Sequence, residues 1–263
     1  MYAEGLDVVV VNYRTPELLH KFCDSYAFQE SEVETELLVV DVDPDDKTDD
    51  AVRSFLPAYD FLVQYWPISF NCGYAGACNF ASASAIHDTI AFFNADTELH
   101  ATTLQDCYDL LHSNDSYGVV GPMQVNSEGR ITHAGVFGSN TNPSLRGWMS
   151  RNISRYTDVR DDAVSVSGSA YFIKRSVWDK IENLLKQIYP DVEGAMLPTQ
   201  HYYEETFVSY MARHLGYKVV YAGNTMMSHE WNQSGKYMPI AKWAKESRET
   251  FRNSLDHFGV AHD

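Results

Sequence analysis

The stretch LDVVVVNY, residues 6–13, constrains the fold more than any other part of the chain. Successive side chains of a strand point to opposite faces, so a β-branched run with no polar alternation belongs to a strand covered on both sides. Sheets covered on both sides are the parallel ones, whose connections are helices. ELLVVDVD (36–43), FLVQYWPIS (61–69) and TIAFFNAD (89–96) read as further strands of the same kind. Between them, TPELLHKFCDSY carries Thr15 as a helix N-cap, Pro16 at the first helical position and Glu17 in the first turn. AGACNFASASAIHD (75–88) is rich in small residues and suits a helix lying close to a sheet, and DPDDKTDD reads as a solvated acidic loop. Alternating strands and helices predict a doubly wound, mostly parallel α/β sheet, whose ligands sit outside the carboxyl ends of the strands. Asn12, Asp41, Asp43, Asn94 and Asp96 fall at such ends.

The second half reads differently. Residues 117–138 hold two strand-like runs about a Ser127-Glu128-Gly129 turn, a hairpin. VSVSGSAYFIKRSVWDKI (164–181) is a strand running into a helix, and YYEETFVSYMARHLGY (202–217) is a helix closed by Gly216. KVVYAGNTMMSHEW (218–231) is a strand with His229 at its end. A last helix covers 239–258, with Lys245, Arg248 and Arg252 on a solvated stripe and Trp243, Phe251, Leu255 and Phe258 toward the core. No repeat or linker divides the chain, so residues 1–263 are expected to form one domain.

Composition narrows the function. Hydrophobic residues make up 44%, enough for a real core, and the formal charge of −16 disfavours a general nucleic-acid or anionic-membrane surface. Cys23, Cys72, Cys78 and Cys107 show neither a CxxC pair nor metal-ligand spacing, as expected of buried thiols in a reducing compartment. The first apolar run lacks a basic segment before it and nothing approaches a membrane span. A cytoplasmic protein without integral membrane contact is the expectation.

In this order, VVNYRTPELL, VVDVDPDD, NCGYAGACNFA, FFNADTEL, GPMQVNSEGRITHAG, SGSAYFIKRSVW, YYEET and GYKVVY…SHEWNQSG resemble the family 2 glycosyltransferases of the GT-A fold, especially their rhamnosyltransferase-like branch. The pieces span residues 6 to 235. The resemblance implies a Rossmann-like, mostly parallel sheet flanked by helices, with a smaller mixed or antiparallel acceptor-side portion. Residues 1–100 would form the nucleotide-sugar-binding half and 101–238 the acceptor and catalytic half.

It also implies roles. A nucleotide-sugar donor (UDP-, dTDP- or GDP-linked) leaves a diphosphate whose charge calls for Mn²⁺ or Mg²⁺ on oxygen ligands. The motif for this is Asn94-Ala95-Asp96, with Asp96 as metal ligand and Asn94 in place of the usual first acid; capping of a following helix is the other reading of Asp96. His229 would complete the metal site. Asn12, Tyr13, Asp41 and Asp43 would meet the base and ribose, with Val42 a departure from the family pattern. Asn71, Gly73, Gly76 and Asn79 match a donor-binding motif whose glycines either admit the diphosphate or make a tight turn. Gly168 and Ser169 shape the sugar pocket.

An inverting transfer requires the acceptor hydroxyl to lose its proton as it attacks, and the resemblance implies Glu205 as that base, oriented by Glu204. The alternative is two glutamates stabilising a helix N-terminus. The family's next acid is replaced by Phe207. For the acceptor, Arg146, Trp148, Arg151 and Arg155 stand together in an otherwise acidic chain, as contacts to a polyanion or diphosphate or as a solvated face. A glycan or lipid-linked glycan and a hydroxylated base in DNA both fit as acceptor. A non-catalytic nucleotide-sugar-binding relative is the reading from another class.

Overall fold

A computed structural model describes residues 2–230 and 240–262. Strands β1 (Ala3–Asn12), β2 (Thr35–Val42), β3 (Val63–Ile68) and β4 (His87–Asn94) pair in parallel in the order β3-β2-β1-β4. The helices between them are α1 (Pro16–Ala27), α2 (Asp46–Phe55) and α3 (Gly73–Ser82). Beyond β4 the chain adds β5 (Thr97–Leu99), α4 (Thr103–His112), β6 (Tyr117–Val125) and β7 (Ile131–His133). Then come β8 (Val136–Ser139), β9 (Asn142–Leu145), β10 (Val159–Ala163), β11 (Ala170–Lys174), α5 (Arg175–Leu185), α6 (Glu204–His214), β12 (Lys218–His229) and α7 (Ile240–His257). The sheet continues from β4 through β11, β6 and β12 to β10, with β11 and β10 antiparallel to their neighbours; β8 and β9 form a separate antiparallel pair.

The valine run behaves as its chemistry requires. Leu6, Val8 and Val10 pack with Leu19 and Phe22 of α1 and Leu104 of α4, while Val9 faces the opposite core with Ala77 of α3 and Trp178 of α5. Phe93 and Phe92 of β4 split between the same two cores, and Phe92 stacks on Trp178 with ring centroids 4.9 Å apart. The four cysteines are free thiols, three of them buried.

Several elements differ from expectation. DPDDKTDD is not a loop: α2 begins inside it because Asp45 accepts the Thr48 N–H at 2.8 Å, and Asp46 and Asp49 suit a helix N-terminus. The small-residue helix starts earlier, at Gly73, and ends at Ser82, because His87 is claimed by the sheet, where its N–H donates to buried Asp7. No helix follows Asp96 directly; Thr97 opens β5, so Asp96 caps nothing. The 117–138 hairpin is β6 with β7 alone, since β8 turns away to β9. The run from 164 becomes a strand of the main sheet only at Ala170, and β10 arises within the arginine-rich segment. α6 starts at Glu204, two residues late, because Tyr202 and Tyr203 are left-handed. Gly216, φ +88°, ends it as expected. The Trp231–Gly235 part of the SHEWNQSG motif lies outside the described residues.

Phe92→Ala deletes a ring in contact with Trp178 at the centre of the sheet. It should cost about 3–5 kcal/mol in urea-induced unfolding with an unchanged m-value.

Candidate active site

The carboxyl ends of β1, β2, β4 and β12 open on a cavity of about 210 Å³, lined at one end by Val11, Tyr13, Thr15, Leu18 and Val42. Its lining also holds Asn94, Asp96 and His229, together with Gly168, Ser169, Glu204 and Glu205. Asn71 and Gly73 line it as well.

Asp96 and His229 are 133 places apart in a chain that brings them together by sheet pairing. β5 runs antiparallel to β12 with Thr97 opposite His229, which sets Asp96 Oδ1 3.4 Å from His229 Nε2. Two ligands about 2.1 Å from one cation and at a right angle lie ~3 Å apart, so this spacing fits a shared ion. The far side of the ring supports the same reading. Gln124 of β6 places Oε1 3.0 Å from His229 Nδ1, and an amide oxygen only accepts, so Nδ1 carries a proton and Nε2 is the nitrogen that faces Asp96. Ser169 Oγ donates to the same Gln124 oxygen at 2.9 Å. His133, opposite Gln124 in the hairpin, is held down to about 3 by burial and adds no charge. Among the described residues no third His, Cys, Asp or Glu joins Asp96 and His229. A divalent ion held here would therefore need oxygen ligands from a bound molecule, a donor set that suits Mn²⁺ or Mg²⁺.

The two glutamates differ. Glu204 is 4% exposed and accepts a hydrogen bond from Thr199 Oγ1 at 3.2 Å; Glu205 is half-buried. Burial, and next the Glu205 carboxylate, push Glu204 up to about 8. Burial also raises Glu205, opposed by backbone hydrogen bonds that include Gly168. At neutral pH Glu204 therefore holds a proton, so it sets no second anion beside Glu205. Gly168 packs so closely that a Cβ would lie 3.1 Å from Glu205 Cγ, and its carbonyl accepts the Tyr74 hydroxyl at 2.5 Å. Tyr202 and Tyr203, φ +70° and +72°, store backbone strain immediately before the pair, as non-glycine residues do there.

At the β1–β2 end, Asp41 is fully buried and does not reach the cavity surface. Its carboxyl accepts from Asn12 Nδ2 at 2.8 Å and from the Tyr65 hydroxyl at 3.0 Å. Burial raises it to about 6, still ionised at neutral pH. Asp43 is ion-paired to Arg14 at 2.7 Å, and that guanidinium lies over the Tyr13 ring. Asn79 faces away, its amide bonded at both ends to the backbone of Met196. None of the four residues proposed for an acceptor lines the cavity. Arg146 pairs with Asp158 at 2.7 Å and lies over the Phe137, Tyr156 and Tyr221 rings, while Trp148, Arg151 and Arg155 are exposed. Phe207 is fully buried in the core.

Tyr74, Gln124 and Trp243 were not among the expected site residues. Trp243 lines the cavity instead of packing in the core. The partners of Tyr74 and Gln124 lie 94 and 105 residues away, so nothing local marks them.

The glycosyl transferase family 2 profile matches residues 7–181, more than half of the 263. The chain belongs to this family. Among solved structures, a mannosyltransferase from Pyrobaculum calidifontis in complex with GDP-Man and Mn²⁺ is 16% identical, with TM-score 0.63 over 97% of this chain and 69% of that one. S. aureus TarS (residues 1–349) is 14% identical, with TM-score 0.60 over 97% of this chain and 72% of that one. GalNAc-T7 with UDP, GalNAc and Mn²⁺ is 13% identical, with TM-score 0.66 over 94% of this chain and 50% of that one. The glycosyltransferase thus has the GT-A fold, and these likenesses do not distinguish the rhamnosyltransferase-like branch. None of the curated proteins compared with the chain matches it. No helix among the described residues is long and apolar enough to cross a membrane.

The buried Glu204 gives the glycosyltransferase a pH signature. The folded chain binds this proton more tightly than the unfolded chain, so its contribution to stability is full below the ordinary glutamate range, near 4.5, and is lost as pH rises through about 8. Glu204→Gln should flatten that fall, seen as a smaller drop in Tm than wild type between about pH 5 and about pH 9.

Proposed function

We propose that the glycosyltransferase moves a sugar from a nucleoside-diphosphate donor to an acceptor hydroxyl with inversion, by direct displacement. The observation that carries this is that the Asp96–His229 pair and the half-buried Glu205 line one cavity. Asp96 and His229 would hold Mn²⁺ or Mg²⁺, which when bound neutralises charge on the departing diphosphate. UDP-, dTDP- and GDP-sugars are the donor class, in keeping with the molecules bound to the fold's solved neighbours. The nucleoside would lie at the Val11–Tyr13–Val42 end and the sugar beside Gly168 and Ser169.

Glu205 removes the acceptor proton as the hydroxyl attacks. The proton on Glu204 spares Glu205 a second anion beside it, and burial makes Glu205 a stronger base than an exposed carboxylate. Strain at Tyr202–Tyr203 and the close contact with Gly168 hold it in place. A glycan or lipid-linked glycan is the acceptor class we favour over a base in DNA. The charge of −16 opposes a DNA surface, and Arg146 of the basic segment is paired with Asp158 and lies over three aromatic rings.

Asp96→Ala and His229→Ala should each abolish Mn²⁺-dependent donor binding in calorimetry while the chain stays folded. Glu205→Gln should bind donor as wild type does yet lose about 10²–10⁴-fold in kcat. Metal-independent donor binding, or an unimpaired Glu205→Gln, would overturn these assignments.

A further inference from the structure

Thr15 occupies the N-cap of α1 without doing what a capping threonine does. An N-cap hydroxyl ordinarily accepts a hydrogen bond from an amide of the first turn, but Thr15 makes no such side-chain bond. It is turned the other way, and its Oγ1 donates to Asn12 Oδ1 at 2.8 Å. The orientation of the Asn12 amide is fixed in turn by Asp41, because a carboxylate only accepts and must face the Asn12 NH₂ group, 2.8 Å away. The Tyr65 hydroxyl, 3.0 Å from the second Asp41 oxygen, is shared with Asp49, to which it donates at 2.7 Å. The Asp41–Asn12 and Asn12–Thr15 links therefore each have one permitted direction, and they end at a half-buried hydroxyl on the cavity wall whose single proton is already committed. What Thr15 offers the cavity is lone pairs alone.

Around it the wall is apolar or aromatic: Val11, Leu18, Val42 and Tyr13. A slot of this kind takes a flat ring and reads it through few polar atoms. Resting on the donor site proposed above, we propose that Thr15 is a specificity-determining residue, a fixed acceptor for the ring N–H of the donor's nucleobase. Uracil and thymine at N3 and guanine at N1 carry that hydrogen; cytosine has a bare ring nitrogen there. A cytidine diphosphate would set lone pair against lone pair, and discrimination of this kind rests on leaving a polar group unpaired.

The test is calorimetric binding of UDP, dTDP, GDP, CDP and N3-methyl-UDP, with Mn²⁺, to wild type, Thr15→Val and Thr15→Ser, each checked for an unchanged Tm. Wild type should bind at least one of UDP, dTDP and GDP, and CDP about tenfold or more weakly. Thr15→Val should weaken the preferred ligand by about tenfold, Thr15→Ser should restore it, and N3-methyl-UDP should be indifferent to Thr15→Val. Equal binding of the preferred ligand by wild type and Thr15→Val would overturn the inference and leave the transferase reading standing. So would equal weakening of UDP and N3-methyl-UDP, since the hydroxyl would then be meeting the ribose. Failure of all five ligands to bind wild type would instead remove the donor site itself, and this inference with it.

Discussion

A strand buried on both faces can place a polar side chain without penalty only at its ends, and the centre of this protein is built from such strands. Val8, Val9 and Val10 are all fully buried, as are Leu37 to Val40 of β2 and Ile90 to Phe93 of β4. Polar chemistry is thereby driven to the carboxyl edge, where the backbone leaves the sheet and side chains meet water or a ligand. One short pairing then decides which edge residues meet. β5, three residues long, folds back from β4 onto β12, and without it Asp96 and His229 would project from strands separated by β11 and β6.

The cavity combines groups whose protons are constrained by their surroundings rather than by their ordinary acidities. Glu204 is buried deeply enough to stay neutral at neutral pH, so it does not set a second anion beside the more exposed Glu205. Gln124 settles the tautomer of His229, and Asp41 settles the orientation of Asn12. In each case a buried acceptor, invisible from the cavity, fixes which atom of its neighbour faces inward. This is pre-organisation in the sense that matters for catalysis and recognition: the hydrogen-bonding character of the wall is set before a ligand arrives.

The parallel half of the fold was legible because continuous apolar runs admit few alternatives, and the strand-end acids followed from them. In DPDDKTDD the charge density hides the start of α2, though Asp45 three residues before Thr48 is a helix-start signal in its own right. Trp243 was assigned to the core by helical spacing, which identifies a face but not what that face covers; here the stripe runs from the core at Phe251 and Leu255 out to the cavity at Trp243. Arg146 looked like a ligand contact because its partners Asp158 and Tyr221 are brought together by β10–β12 pairing, which no local pattern reveals. Gln124 and Tyr74 were out of reach for the same reason.

Asn79 shows how a residue in a donor-binding motif can serve the site from behind. Its amide brackets Met196, accepting from the N–H and donating to the C=O, both at 2.9 Å. Gly194 lies against it so tightly that a Cβ would fall 2.4 Å from its side-chain oxygen, and Gly73 lies against Gln200, where a Cβ would fall 2.9 Å from the carbonyl. α3 therefore grips the irregular segment before α6 at two places, close enough that only glycine fits. That segment leads directly into left-handed Tyr202 and Tyr203 and then into Glu204 and Glu205. Strained backbone persists only where its surroundings over-determine it. The clamp on α3 supplies that over-determination, so the small residues of the 71–79 stretch fix the position of the acids as much as they shape the floor on which a ligand would lie.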